Sequence, residues 1–379
     1  MSKRDDKELG ETIRREVLGD AWVDRALAER TAFDADFQEL ITRYAWEEIW
    51  GRPGLDRRTR RLLVLAMTTS LGRWEELALH LRAAVEGGVP LEEIRETLMQ
   101  TAIYAGVPAA RTAMGVAKKV LGELGLSAPA LHAERQGEGP PLVFSHSLGC
   151  DGSMWDDHAR GLPRFEVLRY DHRGHGRSSV PPGPYTIDQL VDDAARLIRA
   201  WGRGPVIFVG TSMGGMVAQG LAAKHPELVS ALVIAHSTAH YGDDARAIWR
   251  QRIDAVTAGG MAAIAEGVLA RWFTEAFRRE RPDIVARFRQ RLLATSPEGY
   301  VACCEAISRL DVRAGLPGIR VPTLVIGGSE DQATPADASR AIAAAIPGAR
   351  LVIVEGAAHQ GMIEKPDAFA AALAAFLAV

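Results

Sequence analysis

The sequence predicts two domains in one chain: an all-α domain, then an α/β domain with a mostly parallel sheet and a helical cap. Three observations predict it. Apolar residues recur at helical spacing through the first third, a Pro- and Gly-rich stretch breaks that pattern near residue 130, and short apolar runs then alternate with helical segments. A chain of 379 residues also exceeds what one hydrophobic core usually supports.

The helical pattern runs from Leu55 to Leu124. It is carried by Leu62, Leu63, Leu65, Ala66 and Met67, then by Leu77, Leu79, Leu81 and Val85, then by Ile94, Leu98 and Ile103. No strand signal interrupts it. Pro90 and Pro108 stand where they can open helices, and Gly87, Gly88 and Gly106 where helices can end. Residues 1–126 are therefore expected to form the all-α domain. The stretch 127–141, from Ser127 to Pro141, reads as a linker with a first short strand over roughly Leu131 to Gln136.

The second domain is expected over residues 130–379. Its short apolar runs are 142–144, 167–170, 206–209, 231–234, 323–326 and 351–354, near-continuous in the way of parallel strands covered on both faces. Residues 237–307 lack that alternation and read as helices rich in Arg and Trp, expected to form a cap over the sheet.

Charge and composition exclude several classes. The formal net charge is −3 and the arginines are dispersed, so no nucleic-acid partner is expected. The N-terminus, MSKRDDKELGETIRREVLGD, lacks the apolar core of a secretion signal, and no segment offers about 18 uninterrupted apolar residues, so no membrane partner is expected. A cytoplasmic location follows. The three cysteines, Cys150, Cys303 and Cys304, read as reduced thiols, since two are sequence neighbours.

Gly210-Thr211-Ser212-Met213-Gly214 follows the run 206–209 and precedes a helical segment. The glycines permit a sharp strand-to-helix turn that lifts the serine hydroxyl clear of the sheet. A serine hydroxyl is a weak nucleophile near neutral pH, so it needs a base, and the base needs an orienting carboxylate. Asp331, after the run 323–326, and His359, after the last run, supply them in the order Ser, Asp, His, with Glu330 as the competing carboxylate. For a developing oxyanion, Met213 supplies one backbone N–H, and Leu148 in Ser145-His-Ser-Leu-Gly149 the second. His146, His172 and His175 are expected to pack beneath that loop rather than act as bases. The segment Asp171-His-Arg-Gly-His-Gly-Arg-Ser178 opens no clean helix and reads as a structural turn.

These motifs resemble the α/β-hydrolase family over residues 130–379. Within it SHSLGCDGSMWDDH, YDHRGHGRSS, GTSMGG, ARWFTEAF and GAAHQGMIEKPDAF resemble 3-oxoadipate enol-lactone hydrolases. The resemblance implies that Trp155 and Arg271-Trp272-Phe273 help line the substrate site; the alternative for these aromatics is packing. Arg250, Arg252 and Arg271 would suit a carboxylate-bearing substrate, or else belong to solvated helix faces.

His80 is the only histidine before residue 127. On a helix Glu76 shares its face and Arg73 lies one turn further back, though a Glu/His pair at this spacing is usually a surface pair. A carboxylate beside an imidazole raises its pKa and would hold it as a proton donor. RPGLDRRTRRLLVLA, LGRWEELALHLRAAVEGGV and EEIRETLMQTAIYAGVPAA resemble 4-carboxymuconolactone decarboxylases over most of residues 10–125. A related peroxidase branch carries a C-x-x-C pair where Arg73 and Glu76 stand here, so the resemblance implies proton transfer at His80, supported by Glu76, without thiol redox chemistry.

The two resemblances imply a bifunctional enzyme of protocatechuate breakdown, acting on small lactone carboxylates without cofactor or metal. Decarboxylation would yield an enol-lactone, which the serine site would open through an acyl-serine or by general-base attack of water. The helical family usually oligomerises, so a homo-oligomer through that domain is expected. Two other readings stay open: a generic carboxylesterase with a helical oligomerisation domain, and a small-molecule receptor that retains a triad.

Overall fold

The computed structural model describes residues 3–124, 126 and 129–377, without the side chains of 3–7 and 243–244. Ser127 and Ala128, where the linker was expected to begin, lie outside the described residues. The chain divides into two compact units, Met1–Ser127 and Ala128–Val379.

The first unit is helical: α1 Lys3–Leu18, α2 Asp20–Ala28, α3 Ala35–Ile41, a π-helical segment Thr42–Trp50, α4 Arg57–Ser70, α5 Trp74–Glu86, α6 Leu91–Tyr104 and α7 Val107–Glu123. Local chemistry sets the ends. The Asp56 carboxylate accepts the Thr59 N–H at 2.7 Å and caps α4, α5 stops at Gly87, and Gly106 with Pro108 opens α7. Leu65, Leu77, Leu81, Ile94, Leu98, Ala113 and Val120 form one core cluster. A second gathers Ile13, Val17, Val23 and Trp46. Buried Arg61 bridges helices by donating to the carbonyls of Val17 and Ala83.

The apolar periodicity exceeds what this core uses. Leu63, Met67 and Leu71 leave a stripe at intervals of four along α4, Met99 and Ile103 repeat it on α6, and all five are exposed.

The second unit is a seven-stranded sheet in the order β1-β3-β2-β4-β5-β6-β7. The strands are β1 Ala133–Gln136, β2 Pro141–Ser145, β3 Glu166–Tyr170, β4 Val206–Thr211, β5 Val229–Ala235, β6 Thr323–Gly328 and β7 Arg350–Val354. All pairings are parallel except the edge pair β1·β3, where Ala133 faces Tyr170. The abbreviated opening of the fold is thus one antiparallel edge strand. The central strands are apolar on both faces because helices cover both: α8 Asp156–Arg160, α9 Ile187–Trp201, α10 Met213–Lys224, α16 Ala336–Ala345 and α18 Pro366–Leu377. Between β5 and β6 stands the cap: α11 Asp243–Gly259, α12 Ala265–Trp272, α13 Glu275–Glu280, α14 Pro282–Ala294 and α15 Pro297–Ser308. A short α17, Gly361–Glu364, follows the last strand's loop.

Candidate active site

Ser212 sits between β4 and α10 with φ 52° and ψ −116°, backbone values that few non-glycine residues adopt. The turn is this tight because Gly210 and Gly214 lie against each other: a Cβ on Gly210 would come within 2.1 Å of the Gly214 carbonyl. The Ser212 N–H donates to Ala235 O at 2.9 Å, and the Ser237 hydroxyl donates to Ser212 O at 2.8 Å. The end of β5 therefore holds the nucleophile's backbone from both sides.

His359 Nε2 lies 2.9 Å from Ser212 Oγ. Its Nδ1 lies 2.9 and 3.1 Å from the two Asp331 oxygens. Asp331 also accepts the Ala333 and Thr334 N–H groups at 2.8 and 2.9 Å and the Thr334 hydroxyl at 2.9 Å. Burial opposes ionisation of this carboxyl, but the charge of His359 and hydrogen bonds from His236 and His359 hold it well below the usual carboxylate range. Glu330 is exposed, so of the two candidate carboxylates Asp331 is the one beside the imidazole.

Sequence reasoning missed His236. It follows β5 directly, and its Nδ1 reaches Asp331 Oδ2 at 3.3 Å. A signal was available, since residues at the C-terminal ends of neighbouring parallel strands converge.

The loop after β2 carries Leu148, which faces the cavity beside Ser212. Among the described residues neither the Leu148 nor the Met213 N–H donates to a protein acceptor, which leaves both available. Three buried histidines brace this loop. His146 donates from Nδ1 to Ser147 O at 2.8 Å and accepts the His172 N–H at 2.9 Å, and His175 Nε2 accepts the Gly149 N–H at 3.0 Å. Burial lowers the pKa of His146 to about 4 and of His175 to about 3, and pushes His172 well below its usual value. They are neutral struts. Among the described residues no cluster of three His, Cys, Asp or Glu side chains has metal-holding geometry.

Above Ser212 and His359 lies a cavity of about 310 Å³ with walls that include Tyr241, Trp249, Arg252, Arg271, Trp272 and Tyr300. Arg252 lies over the Trp249 ring at 4.8 Å, and among the described residues neither Arg252 nor Arg271 forms an ion pair. Arg250 instead pairs with Glu305 at 3.3 Å and does not line the cavity. The cap is stitched to the histidine loop: Gln360 N–H donates to Trp272 O at 2.9 Å, and the buried Glu364 carboxylate accepts Thr274 N–H at 2.7 Å and Ala358 N–H at 2.6 Å.

Trp155 requires a correction. It is fully buried and stacks on Phe144 with centroids 4.5 Å apart, because a short turn over Gly152–Trp155 tucks the indole into the core. It packs and does not line the cavity above Ser212.

In the helical unit, His80 on α5 is half-buried and lies parallel to Trp50, centroids 6.5 Å apart. Glu76 pulls its pKa upward as expected, but the net shift is downward. Burial, followed by the charge of nearby Arg61, lowers it to about 4, outweighing the opposite pull of the exposed Glu76 carboxylate. Arg73 ends the loop before α5 and, like Glu76, is exposed, while His80 on the same helix is half-buried.

The second unit thus has the make-up of a capped serine hydrolase, joined to a helical unit of another class. The alpha/beta hydrolase fold family model matches residues 140–366, and the carboxymuconolactone decarboxylase family model matches residues 35–119. A 3-oxoadipate enol-lactonase of Acinetobacter baylyi is 39% identical over 62% of this chain and 87% of its own length. A 4-carboxymuconolactone decarboxylase of the same organism is 44% identical over 31% of this chain and 88% of its own. A nitrosuccinic acid decarboxylase of Metarhizium robertsii is 43% identical over 30% of this chain and 80% of its own. The crystal structure of the enol-lactonase from Burkholderia xenovorans superposes with a TM-score of 0.64 at 40% identity, covering 66% of this chain and 96% of that one. The chain belongs to the alpha/beta hydrolase family through its second unit and to the carboxymuconolactone decarboxylase family through its first.

Proposed function

We propose that the chain catalyses two consecutive reactions: decarboxylation of 4-carboxymuconolactone to 3-oxoadipate enol-lactone in the helical unit, then hydrolysis of that enol-lactone to 3-oxoadipate at Ser212. The observation that carries the second step is the continuous relay from Asp331 through His359 to Ser212 beneath a cavity lined by two arginines, Arg252 and Arg271, that form no ion pair among the described residues. His359 Nε2 takes the Ser212 proton as Oγ adds to the lactone carbonyl. The Met213 and Leu148 N–H groups receive the oxyanion, and Arg252 or Arg271 holds the substrate carboxylate. Collapse expels the ring oxygen as an enolate that tautomerises to a ketone, and water releases the acyl group from the serine.

For the first step, loss of carbon dioxide pushes electrons through the ring double bond into the lactone carbonyl, and the resulting dienolate needs a proton on carbon. His80 is assigned that role, with Arg73 and Glu76 beside it. Its low pKa means that it is neutral before substrate arrives; the bound carboxylate favours uptake of a proton from water onto the ring, and the imidazolium passes that proton to the dienolate carbon once carbon dioxide has left.

The exposed apolar stripes on α4 and α6 support assembly of the helical units into a homo-oligomer. Three buried free thiols and the absence, among the described residues, of any helix long and apolar enough to cross a membrane support a cytoplasmic enzyme.

The test is to supply 4-carboxymuconolactone to the purified chain. Formation of 3-oxoadipate requires both sites. S212A is expected to release carbon dioxide and accumulate enol-lactone, and H80Q to consume enol-lactone while failing to release carbon dioxide. Turnover of simple esters and of neither lactone would favour a generic carboxylesterase. Release of carbon dioxide from nitrosuccinate but not from carboxymuconolactone would move the first step to the other relative's acid.

A further inference from the structure

The triad carboxylate serves two imidazoles. We propose that His236 is a positioning residue of the hydrolase site: it donates its Nδ1–H to Asp331 Oδ2 and so limits how strongly that carboxylate draws on His359. The inference rests on the reading of Ser212, His359 and Asp331 as the catalytic triad.

Four observations carry it. First, Asp331 is held as a carboxylate, an acceptor only, so the His236 nitrogen 3.3 Å from Oδ2 bears the hydrogen. Second, His236 Nε2 has no hydrogen-bond partner and the residue is fully buried, so the ring keeps one polar atom unsatisfied in the core. Filling space would not require that; an aliphatic side chain would do it without burying an unpaired acceptor. Third, the backbone is arranged to aim the ring. His236 has φ 44°, in the left-handed region that a histidine seldom takes, and its N–H is pinned to Ile326 O at 2.7 Å where β5 meets β6. Fourth, the space for the ring is reserved by Gly361, two residues beyond His359, where a Cβ would come within 2.4 Å of His236 Cε1.

The flanking residues act on the nucleophile, through Ala235 O on Ser212 N–H and the Ser237 hydroxyl on Ser212 O. Three consecutive residues at the end of β5 therefore hold both ends of the relay.

A second donor on a carboxylate stabilises its charge and lessens its pull on a neighbouring imidazolium. Without it, Asp331 would pair more tightly with protonated His359, and the histidine would stay protonated, unable to accept the Ser212 proton, to a higher pH. The other polar groups around His359 and Asp331 include Ser212 from the β4 turn, Gln332 and Thr334 from the β6 loop, and Tyr241, Arg252 and Arg271 from the cap. None of these is altered by substituting His236.

The test measures enol-lactone kcat/KM against pH for the full chain, H236L and H236N. Leucine fills the space without a donor; the asparagine amide nitrogen takes the place of Nδ1. H236L is expected to move the acid limb upward by about 0.5 to 1 pH unit, and H236N to keep it at the wild-type position. If both variants keep the wild-type limb, or both move it equally, the donor has no role and the proposal fails. S212A is measured in parallel. If it still opens the lactone, the triad reading falls on its own account, whatever His236 does.

A measurement on the unaltered chain guards against an H236L that does not fold. In protein labelled with 15N-histidine, the ring that disappears in H236N must be protonated at Nδ1 across pH 6 to 9. Protonation at Nε2 alone overturns the proposal.

Discussion

At the scale of single residues, Ser212 holds a backbone conformation that few residues bearing a Cβ adopt. Glycines on either side of a serine, after a strand and before a helix, announce the turn; its φ of 52° and ψ of −116° are the physical content of that announcement. Such a backbone is strained in any residue with a Cβ, by about 1–3 kcal/mol. S212A and S212G both remove the hydroxyl and its bond to His359, but only glycine releases the strain. S212G is therefore expected to be more stable than S212A by about 1 kcal/mol, read from urea midpoints at constant m, with both inactive on the lactone. Equal midpoints would mean that the turn stores no strain. Trp155 and His236 show the opposite case. A tryptophan in a substrate-site motif gives residue type but not depth, and only the turn over Gly152–Trp155 reveals that the ring faces the core. His236 meets a partner 95 positions away, and no local pattern encodes that contact.

At the scale of elements, the strands, the helical cap and the helices from Leu55 onward were legible because each has a period: alternation of short apolar runs, or recurrence every three to four residues. The segment from α1 to the π-helical turn was legible only through family resemblance, since its apolar residues are sparse and charges crowd its faces. The loop after β2 was predicted to rest on histidines, and the structure gives that support a pH dependence. His146, His172 and His175 all have depressed pKa values in the fold, against about 6.5 in the unfolded chain. A depressed histidine contributes stability that is complete above the unfolded value and is lost as pH falls towards the folded one. Between pH 6.5 and about 4 the unfolded chain takes up three protons that the folded loop excludes. The unfolding free energy should then fall with a slope approaching about 4 kcal/mol per pH unit. Urea unfolding at pH 7.5, 6.0 and 5.0, followed through the transition that abolishes lactone hydrolysis, checks this. A stability independent of pH over that range would show that the three rings are charged or open to solvent.

At the scale of the whole molecule, the two units bear opposite relations between surface and site. The hydrolase unit encloses its site within one copy: sheet, loops and cap surround Ser212, and the histidine loop is bonded to the cap through Trp272 and Glu364. In the helical unit Glu76 and Arg73 are exposed beside a half-buried His80, while Leu71, Ile103 and Tyr104 are 72%, 76% and 82% exposed. A decarboxylase must shield a dienolate from bulk water long enough to protonate it on carbon, and the exposed Glu76 and Arg73 side chains do not do so by themselves. A second copy packed on the apolar stripes would both cover them and wall in the histidine. L71D and I103D place charges in those stripes and leave the His80 side chain itself unaltered. Each is expected to convert an oligomer into monomers by light scattering, to reduce carbon dioxide release at least about tenfold, and to leave Ser212-dependent lactone hydrolysis near the wild-type rate. Should the unaltered chain prove monomeric and still decarboxylate, the helical site must be complete within one copy, and the exposed stripes must serve another purpose.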